Sequence, residues 1–305
     1  MSDLGFDGRV AIVTGAGGGL GRAHSMLLAS RGCLVVVNDI GGSMDGSSSG
    51  ATTAEAVVEE IRSLGGEAVA DQHSVTTAEG GQQIVQTALD SFGRVDVVVN
   101  NAGILQDKTF GSMTPDLLDP VLDVHLGGAF NVTRPAWAYM KDHQYGRVVF
   151  TSSSAGLFGN FGQSNYGAAK MGVVGLNHVL AQEGRKHGIK VNAIAPVAQT
   201  RMTKGLLGEV EELATPESVA PVVAYLAHEE CPVSGHIFGV GAGRVSRVFV
   251  GMCAGWMSDD GQVTVEDVRD HFDEIEDTSD FTIPRRSSDQ LKTMRREDGP
   301  ARSES

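Results

Sequence analysis

Short apolar runs rich in β-branched residues recur along the chain, and after most of them apolar positions return every three or four residues. Residues 9–14, 33–38, 67–70, 94–99, 146–150, 190–195 and 235–240 read as strands. Helical spacing is predicted over 22–31, 52–64, 77–92, 114–141, 164–187 and 216–228. Pro120 and Pro135 are expected to divide the fourth of these into a short helix and a longer one. Repeated β-α units of this kind imply an α/β fold: a doubly wound parallel sheet with helices on both faces, in three αβα layers. A ligand of such a sheet binds at the C-terminal ends of the strands, where Gly15, Asp39, Asn100, Ser153 and Pro196 fall.

Length and composition narrow this picture. The 305 residues suffice for one large domain with a well-buried core and are too few for two. Residues 6–244 are read as that domain and 245–283 as a C-terminal extension. Within the extension, 245–257 is apolar enough to cover the substrate cleft or a neighbouring subunit, and 264–276 is an acidic helix. Residues 284–305 are polar and charged, the composition of a disordered tail. The Gly/Ser-rich stretch 41–50 reads as a mobile loop. A formal net charge of −14 argues against a nucleic-acid or anionic-membrane partner and requires any anionic substrate to be met by a local basic patch. Cys33, Cys231 and Cys253 have neither disulfide-framework nor zinc-site spacing, and the histidines lack a metal-binding spacing, so no metal is expected. Around Ser258-Asp259-Asp260-Gly261 a calcium loop would put Trp256 where an oxygen ligand is needed. The first residues have no signal-peptide character, and no apolar stretch is long enough to span a bilayer.

The candidate chemistry begins at Gly15-Ala16-Gly17-Gly18-Gly19-Leu20-Gly21, which follows a strand and opens a helix. Without Cβ atoms such a turn lets backbone N–H groups approach a pyrophosphate, and the helix N-terminus favours the anion. Asp39 ends the second strand, where a carboxylate can accept from both ribose hydroxyls of an adenosine and repel a 2′-phosphate. This favours NAD over NADP. Further along, Ser153 precedes Tyr166-Gly167-Ala168-Ala169-Lys170. If Tyr166 begins a helix, the four-residue step puts Lys170 on its face, where an ammonium favours the phenolate. Spacing alone does not choose among Ser152, Ser153 and Ser154.

Taken together these residues resemble the short-chain dehydrogenase/reductase family over about Phe6 to Gly243. Thr14-Gly15 with Gly19, Leu20 and Gly21 resembles its Rossmann-type cofactor loop, Asn100-Asn101-Ala102-Gly103 its sheet-stabilising, adenosine-side motif, and Ser153, Tyr166 and Lys170 its catalytic set. The family's thirteen-position spacing to the tyrosine selects Ser153. A finer resemblance is to the dehydrogenase part of peroxisomal multifunctional enzyme type 2 and single-domain bacterial relatives. It rests on Val37-Asn38-Asp39-Ile40, Ile104-Leu105, Val124-His125-Leu126, Tyr145-Gly146-Arg147, Gly159-Asn160-Phe161-Gly162-Gln163, Ile194-Ala195-Pro196, Arg201-Met202-Thr203 and Val240-Gly241-Ala242-Gly243. The resemblance implies an NAD-dependent oxidation of (3R)-3-hydroxyacyl-CoA, with 17β-hydroxysteroids as the other substrate class. It also implies a homodimer or homotetramer, with the helix bearing Met171, Val174 and Val179 packed in the subunit interface. A module that binds NAD as a redox sensor without turnover is the alternative of another class. The chain ends Ser303-Glu304-Ser305 rather than in a peroxisomal Ser-Lys-Leu, and a free-standing cytoplasmic enzyme is expected.

Some positions depart from the broad family. His125 stands where many members have an asparagine that anchors a water; it either relays a proton or is a satisfied interior histidine. At the end of the third strand His73, Ser74 and Val75 replace the family's adenine-contacting aspartate, so the backbone at Ser74 and Val75 is expected to meet adenine and Asp71 is not. Pro196-Val197 replaces the commoner Pro-Gly, which puts Val197 near the carboxamide end of the nicotinamide, and Thr200 is assigned a phosphate contact. Packing and turn roles remain open for both Val197 and Thr200.

Overall fold

The computed structural model describes residues 4–41, 53–198 and 212–294. It comprises two compact units, Met1–Val248 and Phe249–Ser305. The first begins β1 (Val10–Thr14), α1 (Gly19–Ser30), β2 (Leu34–Asn38), α2 (Thr53–Ser63), β3 (Glu67–Asp71), α3 (Ala78–Phe92) and β4 (Val97–Asn100). It continues through α4 (Pro115–Leu122), α5 (Gly128–Asp142), β5 (Gly146–Thr151), α6 (Ser154–Phe158), α7 (Ser164–Gly184), β6 (Ile189–Pro196), α8 (Pro216–Ala227), β7 (Ile237–Gly241) and β8 (Arg244–Val248). The sheet order is β3-β2-β1-β4-β5-β6-β7-β8. Strand order reverses between β1 and β4, the place where a doubly wound sheet opens a crevice at its C-terminal edge.

Both faces of the sheet are covered, so strand residues alternate between two cores. Ala11, Val13, Val97 and Val99 pack with Leu28, Val57, Ile61, Val219 and Val223 under α1, α2 and α8. Val10, Ile12 and Val98 pack with Ile84, Val132, Met140 and Val173 under α3, α5 and α7. At the opposite edge from the crevice, Arg9 and Arg147 lie over the Tyr145 ring, 3.7 and 4.4 Å from its centroid.

The expected elements are present, and several differ in detail. The first helix starts at Gly19 rather than residue 22, because extended Gly18 (φ −173°) serves as its N-cap inside the glycine turn. The long helical stretch does divide, but at a π turn over Asp123–Gly127; Pro120 lies inside α4 and Pro135 inside α5. Pro135 has no N–H for the carbonyl of Asn131, and that oxygen faces α3, where a Cβ on Gly81 would lie 2.2 Å from it. An eighth strand, β8, was not expected from the apolar pattern at 245–257. It pairs antiparallel with β7, Val240 opposite Val245, and carries the sheet to Val248. Val174 is buried, whereas Met171 and Val179 of α7 are 40 and 50 % exposed in the single chain, so the chain covers them only in part.

In the second unit β9 (Met252–Cys253) pairs antiparallel with β10 (Phe281–Thr282). The expected acidic helix is broken at His271 into α9 (Val265–Asp270), which opens with a Thr264/Asp267 capping box, and α10 (Phe272–Glu276). The His271 ring stacks on Trp256 with centroids 4.3 Å apart. Residues expected to lack structure include a short helix, α11 (Ser287–Thr293), where the Asp289 carboxylate accepts from the Arg285 N–H at 3.1 Å. Among the described residues of this unit only Ser258 is buried.

Candidate active site

Gly15 leaves β1 at φ +63°, and a Cβ there would lie 2.7 Å from Ala102 Cα, so this glycine serves both the turn and the contact with the β4 loop. A Cβ on Gly21 would lie 2.2 Å from Gly15 O. Gly18 has nothing within 4 Å of its Cβ position, and α1 has no side-chain cap, so the turn presents a bare helix N-terminus to an open face. Asp39 accepts from Gly17 N–H and Gly41 N–H, each at 2.8 Å, and a carboxylate so bound keeps lone pairs for further donors. Bare helix N–H groups for a pyrophosphate and a fixed carboxylate for ribose hydroxyls fit a pyridine dinucleotide.

Asn101 is turned toward β1: its Nδ2 donates to Thr14 O and Gly15 O at 3.0 and 3.1 Å. Thr14 Oγ1 accepts from Asn101 N–H and Ala102 N–H at 3.0 and 3.1 Å. This clasp fixes the two strand ends at the crevice, and Thr14 is a member of it that the motif alone does not single out. Gly103 is glycine for a local reason: a Cβ there would sit 2.3 Å from His125 Cε1.

At β3 Asp71 is engaged within the fold. Its buried carboxylate accepts from Asn38 Nδ2, His73 N–H and Thr87 Oγ1 at 2.7, 3.0 and 2.6 Å and lies 2.9 Å from His73 Nδ1, which leaves it committed to the fold. Val75 is buried and its carbonyl accepts from Asn131 Nδ2 at 2.9 Å, while Ser74 Oγ lies 2.9 Å from Thr76 Oγ1. Pro196 ends β6, and Val197, 37 % exposed, donates its N–H to Val240 O at 2.7 Å. Thr200 lies outside the described residues.

The residues expected to carry chemistry meet where β5, α6, α7 and the π turn converge. Ser152 is buried and donates to Lys170 O at 2.9 Å, Ser154 is exposed, and Ser153 is the serine whose side chain acts on Tyr166, opposing the rise of its pKa; it is also the one that the family spacing points to. Ser153 also caps α6 by accepting from Ala155 N–H at 3.2 Å. Tyr166 and Lys170 share a face of α7, with the ammonium 5.5 Å from the phenol ring centroid and donating to Thr151 O at 2.6 Å. The balance of charges differs from the simple expectation of an acidified phenol. Burial raises the Tyr166 pKa, the Ser153 side chain opposes this, and the Asp107 carboxylate adds to it. Burial alone brings Lys170 down to about 7.

His125 is buried in the π turn, its ring edge-on to Tyr166 with centroids 5.1 Å apart. Nε2 lies 2.8 Å from Ile104 O and 3.1 Å from Ile104 N, and the shorter contact assigns the ring proton to Nε2. Burial first, and the nearby Lys170 charge second, hold the imidazole well below its usual pKa, so it is neutral. Its Nδ1 and Thr151 Oγ1 are buried without a hydrogen-bond partner among the described residues, and both residues line a small cavity with Thr14, Asn100 and Lys170. The stretch leading into α7 is braced by residues that spacing did not flag. Gln163 Nε2 donates to Asp107 Oδ2 at 2.8 Å, Lys108 N–H donates to Gly162 O at 2.8 Å, and Asn165 Nδ2 reaches Gln106 O and Leu117 O at 2.9 and 2.8 Å.

Among the described residues no cluster has the makings of a metal site, and no helix is long and apolar enough to cross a membrane. A family model described as short chain dehydrogenase matches residues 9–209. Mouse peroxisomal multifunctional enzyme type 2 is 50 % identical over 286 residues, which cover 93 % of this chain and 38 % of the mouse protein. A Mycobacterium tuberculosis protein named as a short-chain type dehydrogenase/reductase is 52 % identical over 280 residues, covering 92 % of this chain and 98 % of its own length. The structure of full-length peroxisomal multifunctional enzyme type 2 from Drosophila melanogaster superposes with a TM-score of 0.81 at 38 % identity, over 95 % of this chain and 49 % of that one. The chain thus spans less than half of the mouse and Drosophila multifunctional proteins and nearly all of the mycobacterial one. With the dinucleotide crevice, the Ser153/Tyr166/Lys170 arrangement and these matches in agreement, the chain belongs to the short-chain dehydrogenase/reductase family, oxidoreductases acting on CH–OH donors.

Proposed function

We propose that this protein oxidises the secondary alcohol of a (3R)-3-hydroxyacyl-CoA with NAD, in fatty-acid or steroid side-chain breakdown, with 17β-hydroxysteroids as the second substrate class. The observation that carries the reading is Tyr166 beside Ser153, with the Lys170 ammonium 5.5 Å from the centroid of its ring, at the C-terminal edge of the sheet. The phenolate of Tyr166 takes the proton of the substrate hydroxyl, and Ser153 holds the same oxygen. A bound nicotinamide ring supplies the hydride acceptor. Lys170 binds the nicotinamide ribose and favours the phenolate against the cost of burial. Since burial raises Tyr166, the base form grows as pH rises, and kcat/KM for oxidation rises with it.

Asp39 supports NAD over NADP, because its fixed carboxylate would face a 2′-phosphate. Gly15, Gly19, Leu20 and Gly21 hold the pyrophosphate, and Asn101, Ala102, Gly103, Ser74 and Val75 line the adenosine side. Pro196 and Val197 meet the carboxamide end. An apolar substrate is supported by Phe110, Phe158 and Phe161, which are 83, 74 and 89 % exposed on the two segments joined by the Lys108–Gln163 bridge. Exposed Met171, Val179 and Phe130 on α7 and α5 favour a homodimer or homotetramer.

Formation of NADH, followed by absorbance with (3R)- and (3S)-3-hydroxyacyl-CoA of several lengths beside 17β-hydroxysteroids, tests the reading. The (3R) thioesters should turn over best, and Tyr166→Phe should lower their turnover by at least about a hundredfold while NADH still binds. Preference for the (3S) isomer removes the assignment, and NAD binding without oxidation of any alcohol supports the redox sensor.

A further inference from the structure

Asp107 is an exposed residue of the loop after β4 whose carboxylate acts on the Tyr166 phenol. The loop after β4 bridges to the segment before α7 at Lys108 and Gln163, and inside this bridge Gln163 Nε2 fixes Asp107 Oδ2 at 2.8 Å. Gln163 is in turn held by Asn160, whose Nδ2 donates to its Oε1 at 3.0 Å. Asp107 is therefore set by a chain of neutral amides rather than neutralised, and among the described residues it has no ion-pair partner. The other charged or titratable groups around Tyr166 leave it unbalanced. Lys170 is buried and turned to Thr151 O, His125 is neutral, and none of the ion pairs among the described residues joins Lys108 to Asp107.

From this arrangement we infer that Asp107 is a specificity-determining residue that admits a 3-hydroxyacyl group when its C1 is a neutral thioester or ester and rejects the free 3-hydroxycarboxylate. The inference rests on the 3-hydroxyacyl reading of the site. A substrate whose C3 hydroxyl meets Tyr166 and Ser153 carries C1 only two carbons away, and in the inferred pose C1 lies toward exposed Asp107. Its carbonyl is uncharged in a thioester and a full anion in the free acid. Asp107 is exposed, and a bound acyl chain that covers it makes two carboxylates repel more strongly than in bulk solvent. That Asp107 already disfavours the Tyr166 phenolate supports its electrostatic reach to the reacting oxygen. A like charge so placed lowers kcat/KM by about tenfold or more.

The 305-residue chain with NAD is assayed with two probes of equal chain length, a (3R)-3-hydroxyacyl N-acetylcysteamine thioester and the free (3R)-3-hydroxycarboxylate. Neither contains the CoA phosphates, so C1 charge is the main difference. The wild type should favour the thioester, and Asp107→Asn, which can still accept from Gln163, should raise kcat/KM for the acid about tenfold relative to that for the thioester, chiefly through KM. Independently of any variant, added salt should narrow the wild-type preference. An unchanged ratio in Asp107→Asn together with a preference indifferent to salt overturns the inference, as does a wild type that oxidises both probes equally. Oxidation of 17β-hydroxysteroids with no turnover of either probe or of hydroxyacyl-CoA overturns the 3-hydroxyacyl reading itself, and the inference with it.

Discussion

An asparagine side chain could answer both polar groups of Ile104 at once, one through its amide N–H and the other through its oxygen. His125 meets the same backbone with a single nitrogen and keeps Nδ1 free toward Thr151 and Lys170. The ring fits because residue 103 has no Cβ. If this free nitrogen relays a proton, His125→Ala should lower kcat by roughly tenfold to a hundredfold while the dissociation constant of NADH barely changes. Because burial keeps the imidazole neutral, His125 itself should add no inflection to the wild-type pH–rate profile near the ordinary histidine pKa of about 6.5, and one arising from Lys170 at about 7 should persist in His125→Ala. Equal losses in turnover and NADH affinity would leave only the packing role. At this scale the residue types were legible in the chain, since the step from Tyr166 to Lys170 follows from helical geometry alone. The electrostatic balance was not: that Tyr166 feels burial, Ser153 and Asp107 depends on long-range neighbours that spacing does not encode.

Elements follow from periodicity where one physical signal dominates and are misjudged where two compete. The seven strands of the parallel sheet were readable because strands buried on both faces must be apolar throughout. β8 was not, because an antiparallel edge strand with four exposed residues has the composition of a surface segment. Prolines signalled a break between α4 and α5, yet the break falls at the π turn, a widened turn of the kind often found at functional sites, which aims His125 at Tyr166. The proline effect is absorbed elsewhere: the carbonyl that Pro135 leaves without a helical donor lies against Gly81 of α3. Gly81→Ala tests this close approach. A Cβ 2.2 Å from a backbone oxygen must push α3 from α5, and overpacking of this kind costs about 1–3 kcal/mol, more than the better helix propensity of alanine returns. Denaturant unfolding should show a lowered midpoint with little change in slope. An unchanged or raised midpoint would mean that the two helices are free to separate.

Across the whole molecule, stability toward acid is coupled to the helix that opens the cofactor site. His24 of α1 is fully buried, and neither ring nitrogen has a hydrogen-bond partner among the described residues. Burial holds its pKa down at about 3, against 6.5 for the free side chain. Between those values the unfolded chain takes up a proton that the native ring refuses, so stability falls as pH drops from 6.5 toward 3. Lys170 acts in the same sense in another window: its depressed pKa, about 7 against 10.5, makes the native state gain stability as pH rises between them. Both buried bases therefore favour the alkaline side. His24→Leu separates the first from the second. The substitution should stabilise the protein at neutral pH by roughly 1–3 kcal/mol through removal of two unsatisfied buried nitrogens, provided the new side chain packs without strain. It should also remove up to about 1.4 kcal/mol per pH unit from the acid-side slope. Urea unfolding of the variant and wild type from pH 4 to 7 reads both effects, since carboxylates common to the two proteins cancel in the difference. A variant that gains stability at neutral pH but keeps the wild-type slope would show that His24 is protonated in the native state and that its burial is not what sets the acid limit.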